Sequence, residues 1–161
     1  MKISASVGGE IEIKAGTRFA IVAARFNHEI VDHLLTGALD TFKQHGVSKE
    51  NIDVLKVPGA FELPLIAQHL ADSNQYAAII TLGCVIRGDT PHFDYVAGEC
   101  ARGVMDVSLN SGVPVVFGVL TTDTEEQARV RSDLEGENKG VDCALCALEM
   151  TTTINQIRAS E

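Results

Sequence analysis

The stretch from Thr81 to Val96, TLGCVIRGDTPHFDYV, concentrates side chains that can do chemistry. His92 can take up and release a proton near neutral pH. Thr90 offers a hydroxyl, Arg87 a cation, and the glycines leave backbone N–H groups open to an anion. An apolar run, Ala77 to Leu82, precedes the stretch, and helical spacing starts near Asp94. A polar loop over Cys84–His92 is therefore expected between a strand and a helix. In open α/β sheets ligands sit at such junctions, outside the carboxyl ends of strands.

Further apolar runs read as strands covered on both faces. They are Phe19 to Ala24 (FAIVAA) and Val115 to Leu120 (VVFGVL); Ile52 to Val57, closed by Pro58-Gly59, is the strand that follows the first. Each is followed by helical periodicity. The first helix, with Asn27 as N-cap, carries Ile30, Val31, Leu34, Leu35, Ala38, Leu39 and Phe42, and Gly46 closes it. Pro64 opens a second helix, and Val96 to Val107 marks a third, ending before Gly112. Thr124 to Arg131 is expected as a short helix and Gly136 to Gly140 as a turn, with a long final helix from Val141. Four strand–helix units imply a parallel sheet with helices on both faces. The expected fold is a three-layer α/β/α sandwich, flavodoxin-like, with a parallel four-stranded sheet. An eight-stranded barrel needs more units.

The four strand ends then gather Arg25-Phe26, Ala60-Phe61-Glu62, the Cys84–His92 loop and Thr121-Thr122 on one edge. An aromatic ring, a carboxylate, a phosphate-ready loop and a histidine would share that edge.

The 161 residues are expected to form a single domain, with an arm over residues 1–16 and a core over 17–161. In the arm, Glu10-Ile11-Glu12-Ile13-Lys14 alternates polar and apolar, as an edge strand would. Such an edge invites pairing with another chain. The formal net charge of −9 argues against nucleic acid as a partner. No window approaches the roughly 20 apolar residues of a membrane span, and the start of the chain lacks a basic-then-apolar signal pattern. A cytoplasmic location is expected.

Gly83-x-x-x-x-Gly88-Asp89-Thr90 has the spacing of a triphosphate loop but carries Asp89 where such a loop needs lysine, which argues against nucleotide hydrolysis. No G-x-G-x-x-G follows a strand. The four cysteines, Cys84, Cys100, Cys143 and Cys146, are expected as reduced buried thiols. Cys143-x-x-Cys146 lies within a helical pattern without a second ligand pair, so core packing is expected and no metal site. His28, His33, His45 and His69 are expected on the surface. Arg131 and Lys139 flank the final turn as cations available to a phosphate.

The chain resembles the lumazine synthase family. The resemblance is carried by ARFN (Ala24–Asn27), VPGAFELP (Val57–Pro64), TLGCVIRGDTPHFDYV (Thr81–Val96), GVPVVFGVLTTDT (Gly112–Thr124), ARVR (Ala128–Arg131) and NKGVDCA (Asn138–Ala144). They run in family order and cover most of the chain from Phe19 onward.

The resemblance implies condensation of 5-amino-6-(D-ribitylamino)uracil with 3,4-dihydroxy-2-butanone 4-phosphate to 6,7-dimethyl-8-ribityllumazine, the penultimate step of riboflavin biosynthesis. It implies no cofactor and no metal. By position, Phe26 stacks on the pyrimidine, while Ala60, Phe61, Glu62, Cys84, Val85 and Ile86 bind the ribitylaminouracil. Asp89 and Thr90 hold the phosphorylated substrate, and His92 transfers protons. Phe117 and Arg131 come from the adjacent subunit, Arg131 pairing the phosphate, with Arg87 and Lys139 in support.

The resemblance further implies a homo-oligomer with shared sites: a homopentamer, and an icosahedral 60-mer because the turn from Arg131 to Asn138 carries no insertion. Association with riboflavin synthase is an expectation of the same kind. Two departures stand out. Asp89 is a carboxylate beside the expected phosphate, unfavourable unless it points away, and Ser132-Asp133-Leu134-Glu135 is unusually acidic. A flavin- or phosphate-binding carrier and an inactive self-assembling shell are the alternatives on this fold.

Overall fold

The computed structural model describes residues 8–161; the first seven residues of the expected arm lie outside them. Four strands, β1 (Phe19–Ala24), β2 (Ile52–Val57), β3 (Ala78–Ile86) and β4 (Val115–Thr122), form one sheet in the order β2-β1-β3-β4. Every pairing is parallel. The helices are α1 (His28–Gln44), α2 (Leu63–Asp72), α3 (His92–Ser111), α4 (Glu125–Arg131) and α5 (Lys139–Ala159).

Strand β1 pairs on both sides and is buried at all six positions, so it needs an unbroken apolar sequence. Its side chains alternate between two cores. Phe19, Ile21 and Ala23 meet Leu34 and Phe42 of α1 and Ala144 and Leu148 of α5. Ala20, Val22 and Ala24 meet Leu63 and Ala67 of α2 and Cys100 and Val104 of α3. The Phe19 and Phe42 rings lie 4.8 Å apart, centroid to centroid. Burying one such side chain contributes roughly 1.5–3 kcal/mol. The result is the expected α/β/α sandwich.

Helices α1 and α5 approach each other closely at Gly140, where a Cβ would run into the Leu34 carbonyl oxygen. The buried Asn138 caps α5 by accepting from Gly140 N–H (2.9 Å). Its amide also donates to the carbonyls of His33 (3.1 Å) and Ser132 (3.2 Å), tying α5, α1 and the end of α4 together. At the amino edge of the sheet, Asp53 Oδ2 accepts from Arg18 (2.5 Å) and from the Tyr76 hydroxyl (2.6 Å).

Several expectations need correction. Strand β3 runs four residues beyond Leu82, because Cys84, Val85 and Ile86 pair with Leu120, Thr121 and Thr122 of β4. Gly83 is a strand residue, and the loop shrinks to Arg87–Pro91. Gly140 belongs to the first turn of α5 rather than to the preceding turn. Asn27 precedes α1 in a left-handed conformation (φ 58°) and makes no capping bond with its side chain. Glu10–Lys14 forms no strand. Ile11 and Ile13 instead pack on the α1/α5 core, and Glu12 N–H donates to Thr152 Oγ1 of α5 (3.0 Å).

Cys84, Cys100 and Cys143 are buried and all four cysteines are unpaired, but Cys146 is exposed. Three residues advance a helix by about 300°, which carries Cys146 off the buried stripe of Cys143, Ala144, Ala147 and Leu148. The four surface histidines are exposed as expected. Among the described residues no helix is long and apolar enough to cross a membrane, and no group of His, Cys, Asp and Glu could hold a metal ion.

Candidate functional site

The strand order reverses between β1 and β3, which makes their carboxyl ends the switch point of the sheet. The turn after β1 is stitched to the end of β2: Arg25 N–H donates to Val57 O (2.8 Å) and Phe26 N–H to Pro58 O (3.0 Å). Asn27 Nδ2 donates to Cys84 O (2.9 Å), so the same turn is tied to β3. These bonds set Phe26 beside the 3-10 turn Ala60–Glu62 and beside β3.

The resulting cleft holds about 410 Å³. Phe26 and Phe61 wall it with rings that are 71% and 60% exposed. Exposed aromatic faces rimmed by polar groups mark a binding site rather than core. Ala60, Glu62, Cys84, Val85, Ile86, Thr90 and His92 complete the expected lining. Gly59, Gly88, Phe93 and Val96 were not expected. Phe93 and Val96 follow from α3 beginning at His92, since one turn of helix brings them to the same side. Asp89 is exposed and does not line the cleft.

The chemistry of the cleft is set by burial and by a helix end. Burial, reinforced by the negative Glu125, pushes the Cys84 thiol up to about 11. It is therefore a neutral wall at physiological pH and no nucleophile. Pro91 precedes the amino end of the 20-residue α3 without a side-chain cap, although Thr90 Oγ1 accepts from His92 N–H (3.4 Å) and the Pro91 carbonyl from Asp94 N–H (3.0 Å). That end carries partial positive charge and favours an anion beside Thr90 and Gly88. His92 is exposed on the first turn, free to reach a bound molecule.

No Lys or Arg lines this cleft. Arg87 turns outward to Asp123 and Asp94, and chiefly the Asp123 hydrogen bond holds it firmly protonated. Phe117, Arg131 and Lys139 line a second cleft of about 460 Å³ along β4 and α5, together with Cys143 and Cys146. The two cations there differ. Lys139 is claimed by Glu137 (2.8 Å) and Asp142 (3.2 Å), whose contacts raise its pKa and depress that of Glu137. Arg131 makes no ion pair among the described residues; its Nη1 donates to the Gln127 carbonyl (3.0 Å). One chain thus brings the aromatic rings, Glu62, Thr90 and His92 together, and keeps Phe117 and Arg131 elsewhere.

A comparison of the sequence with family models agrees with this geometry. Residues 16–155 match the model of 6,7-dimethyl-8-ribityllumazine synthase. That match spans all four strands and both clefts, and the chain belongs to the 6,7-dimethyl-8-ribityllumazine synthase family of transferases, which serves riboflavin biosynthesis.

Proposed function

We propose that the protein condenses 5-amino-6-(D-ribitylamino)uracil with 3,4-dihydroxy-2-butanone 4-phosphate, releasing 6,7-dimethyl-8-ribityllumazine, phosphate and two waters. The cleft at the β1/β3 switch point carries this reading, because it unites two free aromatic rings, a carboxylate and a histidine at a helix N-terminus.

The pyrimidine stacks on Phe26, with Phe61 closing the other side. Glu62 accepts from ribityl hydroxyls. The phosphorylated ketone lies toward Thr90, Gly88 and the positive amino end of α3. Its ketone takes the 5-amino group as nucleophile, and loss of water gives an imine. Loss of the C3 proton then expels phosphate from C4 and leaves an enol, which tautomerises to a new carbonyl at C3; closure of the second nitrogen on that carbonyl expels the second water. His92 accepts and returns the protons that these steps exchange. Holding two reactants in one cleft supplies much of the rate, in favourable cases roughly 7–11 kcal/mol. No cofactor enters.

The leaving phosphate calls for a fixed cation, and the first cleft offers none. A second copy of the chain would supply Arg131 and Phe117 from its own second cleft. The working unit is therefore a homo-oligomer with shared sites; by its family resemblance it is a pentamer, and twelve pentamers close into a 60-subunit shell. Four unpaired thiols suit the reducing cytoplasm.

Mixing the protein with both substrates and following lumazine fluorescence tests the reaction. His92→Ala is expected to slow turnover about 10²-fold with assembly intact by light scattering. Full activity in that variant would remove His92 from the mechanism. Bound flavin without condensation would favour a carrier instead.

A further inference from the structure

Arg87 holds an unusual position between the two clefts. Its backbone N–H donates to Thr122 O (2.9 Å), fixing it at the carboxyl edge where β3 meets β4. Its guanidinium then fans out in three directions. Nη1 reaches Asp94 Oδ1 (3.3 Å), Nε donates to Asp123 Oδ1 (2.9 Å), and the guanidinium carbon lies 4.3 Å from the centroid of the Phe93 ring.

Two of these contacts hold the first turn of α3. His92 is the first residue of that helix, Phe93 lines the first cleft, and Asp94 lies in the opening turn. Pro91 contributes no side-chain cap to this turn, only its carbonyl, which accepts from Asp94 N–H (3.0 Å). The third contact holds the start of α4. There Asp123 N–H donates to Gln127 Oε1 (2.8 Å), within the capping box that Thr124 and Gln127 form. The Gln127 carbonyl in turn accepts from Arg131 Nη1 (3.0 Å). A single planar fork therefore stands between the turn that carries His92 and the helix that carries Arg131.

We propose that Arg87 is a positioning residue for both clefts of the chain. It sets the His92 turn of α3 against the first cleft and, through Asp123 and the α4 cap, sets Arg131 in the second. This rests on the proposed reaction. A guanidinium lies flat on a ring while its fixed fork pairs two carboxylates in set directions; an ammonium is a point charge on a flexible stem. The pairs are half-exposed, and exposed ion pairs contribute little to stability. Losing Arg87 should therefore disturb placement rather than folding.

The test compares Arg87→Ala, Arg87→Lys, Asp94→Asn and Asp123→Asn with the unaltered protein in steady-state kinetics and hydrogen exchange. Arg102→Ala serves as control, since Arg102 makes similar pairs with Glu99 and Asp106 on α3 away from either cleft. Arg87→Ala is expected to lower kcat about tenfold and to raise KM for the phosphorylated substrate about tenfold, because small misplacements are costly. Asp94→Asn should lower kcat alone and Asp123→Asn should raise that KM alone. Arg87→Lys should recover little of either, and the control should match the unaltered protein. Exchange should quicken over residues 88–96 and 123–131 in Arg87→Ala and stay unaltered on α1.

Unaltered exchange in both segments would overturn the proposal. So would Asp94→Asn and Asp123→Asn variants with the same kinetic defect. Absence of product from the unaltered protein would sink the reaction instead, and the exchange pattern would still decide whether Arg87 holds both elements.

Discussion

At the scale of single residues, the division between Arg131 and Lys139 is decided by their neighbours. Both are cations in one cleft, but Glu137 and Asp142 neutralise Lys139, while Arg131 keeps its charge for an incoming anion. Arg131→Ala should raise KM for the phosphorylated substrate at least tenfold and leave KM for the ribitylaminouracil within about twofold. Steady-state titration of each substrate in turn measures this. Equal effects on both constants would assign Arg131 a general structural role. Sequence reasoning placed most of the first cleft, from Phe26 through His92, because strand ends and a short polar loop are visible as apolar runs and their interruptions. It gave Asn27 only the part of a cap. The left-handed backbone and the bond to Cys84 O depend on β3 lying alongside, which no local spacing reveals. The pairing of Lys139 with Glu137 and Asp142, by contrast, is local in sequence, and the i,i+3 spacing of Lys139 and Asp142 already pointed to it.

At the scale of elements, the sheet is tied at both ends. The carboxyl ends of β1, β2 and β3 meet around the first cleft, and their amino ends meet through Arg18, Asp53 and Tyr76. The Asp53 carboxyl is held below its usual range, first by the Tyr76 hydrogen bond and then by Arg18. The Tyr76 phenol is correspondingly raised, chiefly by Asp53, and stays a donor. A carboxyl whose folded pKa is depressed contributes stability above its unfolded value, and the contribution disappears as pH falls through the folded value. Asp53→Asn should therefore lower Tm by a few degrees at neutral pH, and the gap should close as pH drops below about 4. Thermal melts from pH 3 to 7 would show it, and a constant gap would mean that the charge is not what matters.

The bounds of β1 and β2 were legible because the apolar run of β1 ends at Arg25 and Pro58-Gly59 closes β2. The end of β3 was not, since Gly83 reads as a break, yet backbone pairing with β4 carries the strand past it. Likewise the alternation of Glu10 to Lys14 is physical, with Ile11 and Ile13 inward, but within the chain the surface that accepts it is helix α5 rather than a sheet edge.

At the scale of the whole molecule, a core built to one face of each helix leaves Phe26, Phe61 and Phe117 in the open, on two separate clefts. Neither cleft has the full set of groups that a phosphate-releasing condensation needs. This separation has a genetic consequence. On the proposed shared site, two defective copies, one with His92→Ala and one with Arg131→Ala, would carry their lesions in different halves. Co-expressed, they should assemble so that about a quarter of the sites draw an intact His92 from one copy and an intact Arg131 from the other. With the phosphorylated substrate held well below its KM, each variant alone should be slow, while their mixture should complement and recover a measurable fraction of turnover. If both residues acted within a single chain, mixing would restore nothing. A cell carrying two such alleles would then be a riboflavin auxotroph rather than a slow prototroph.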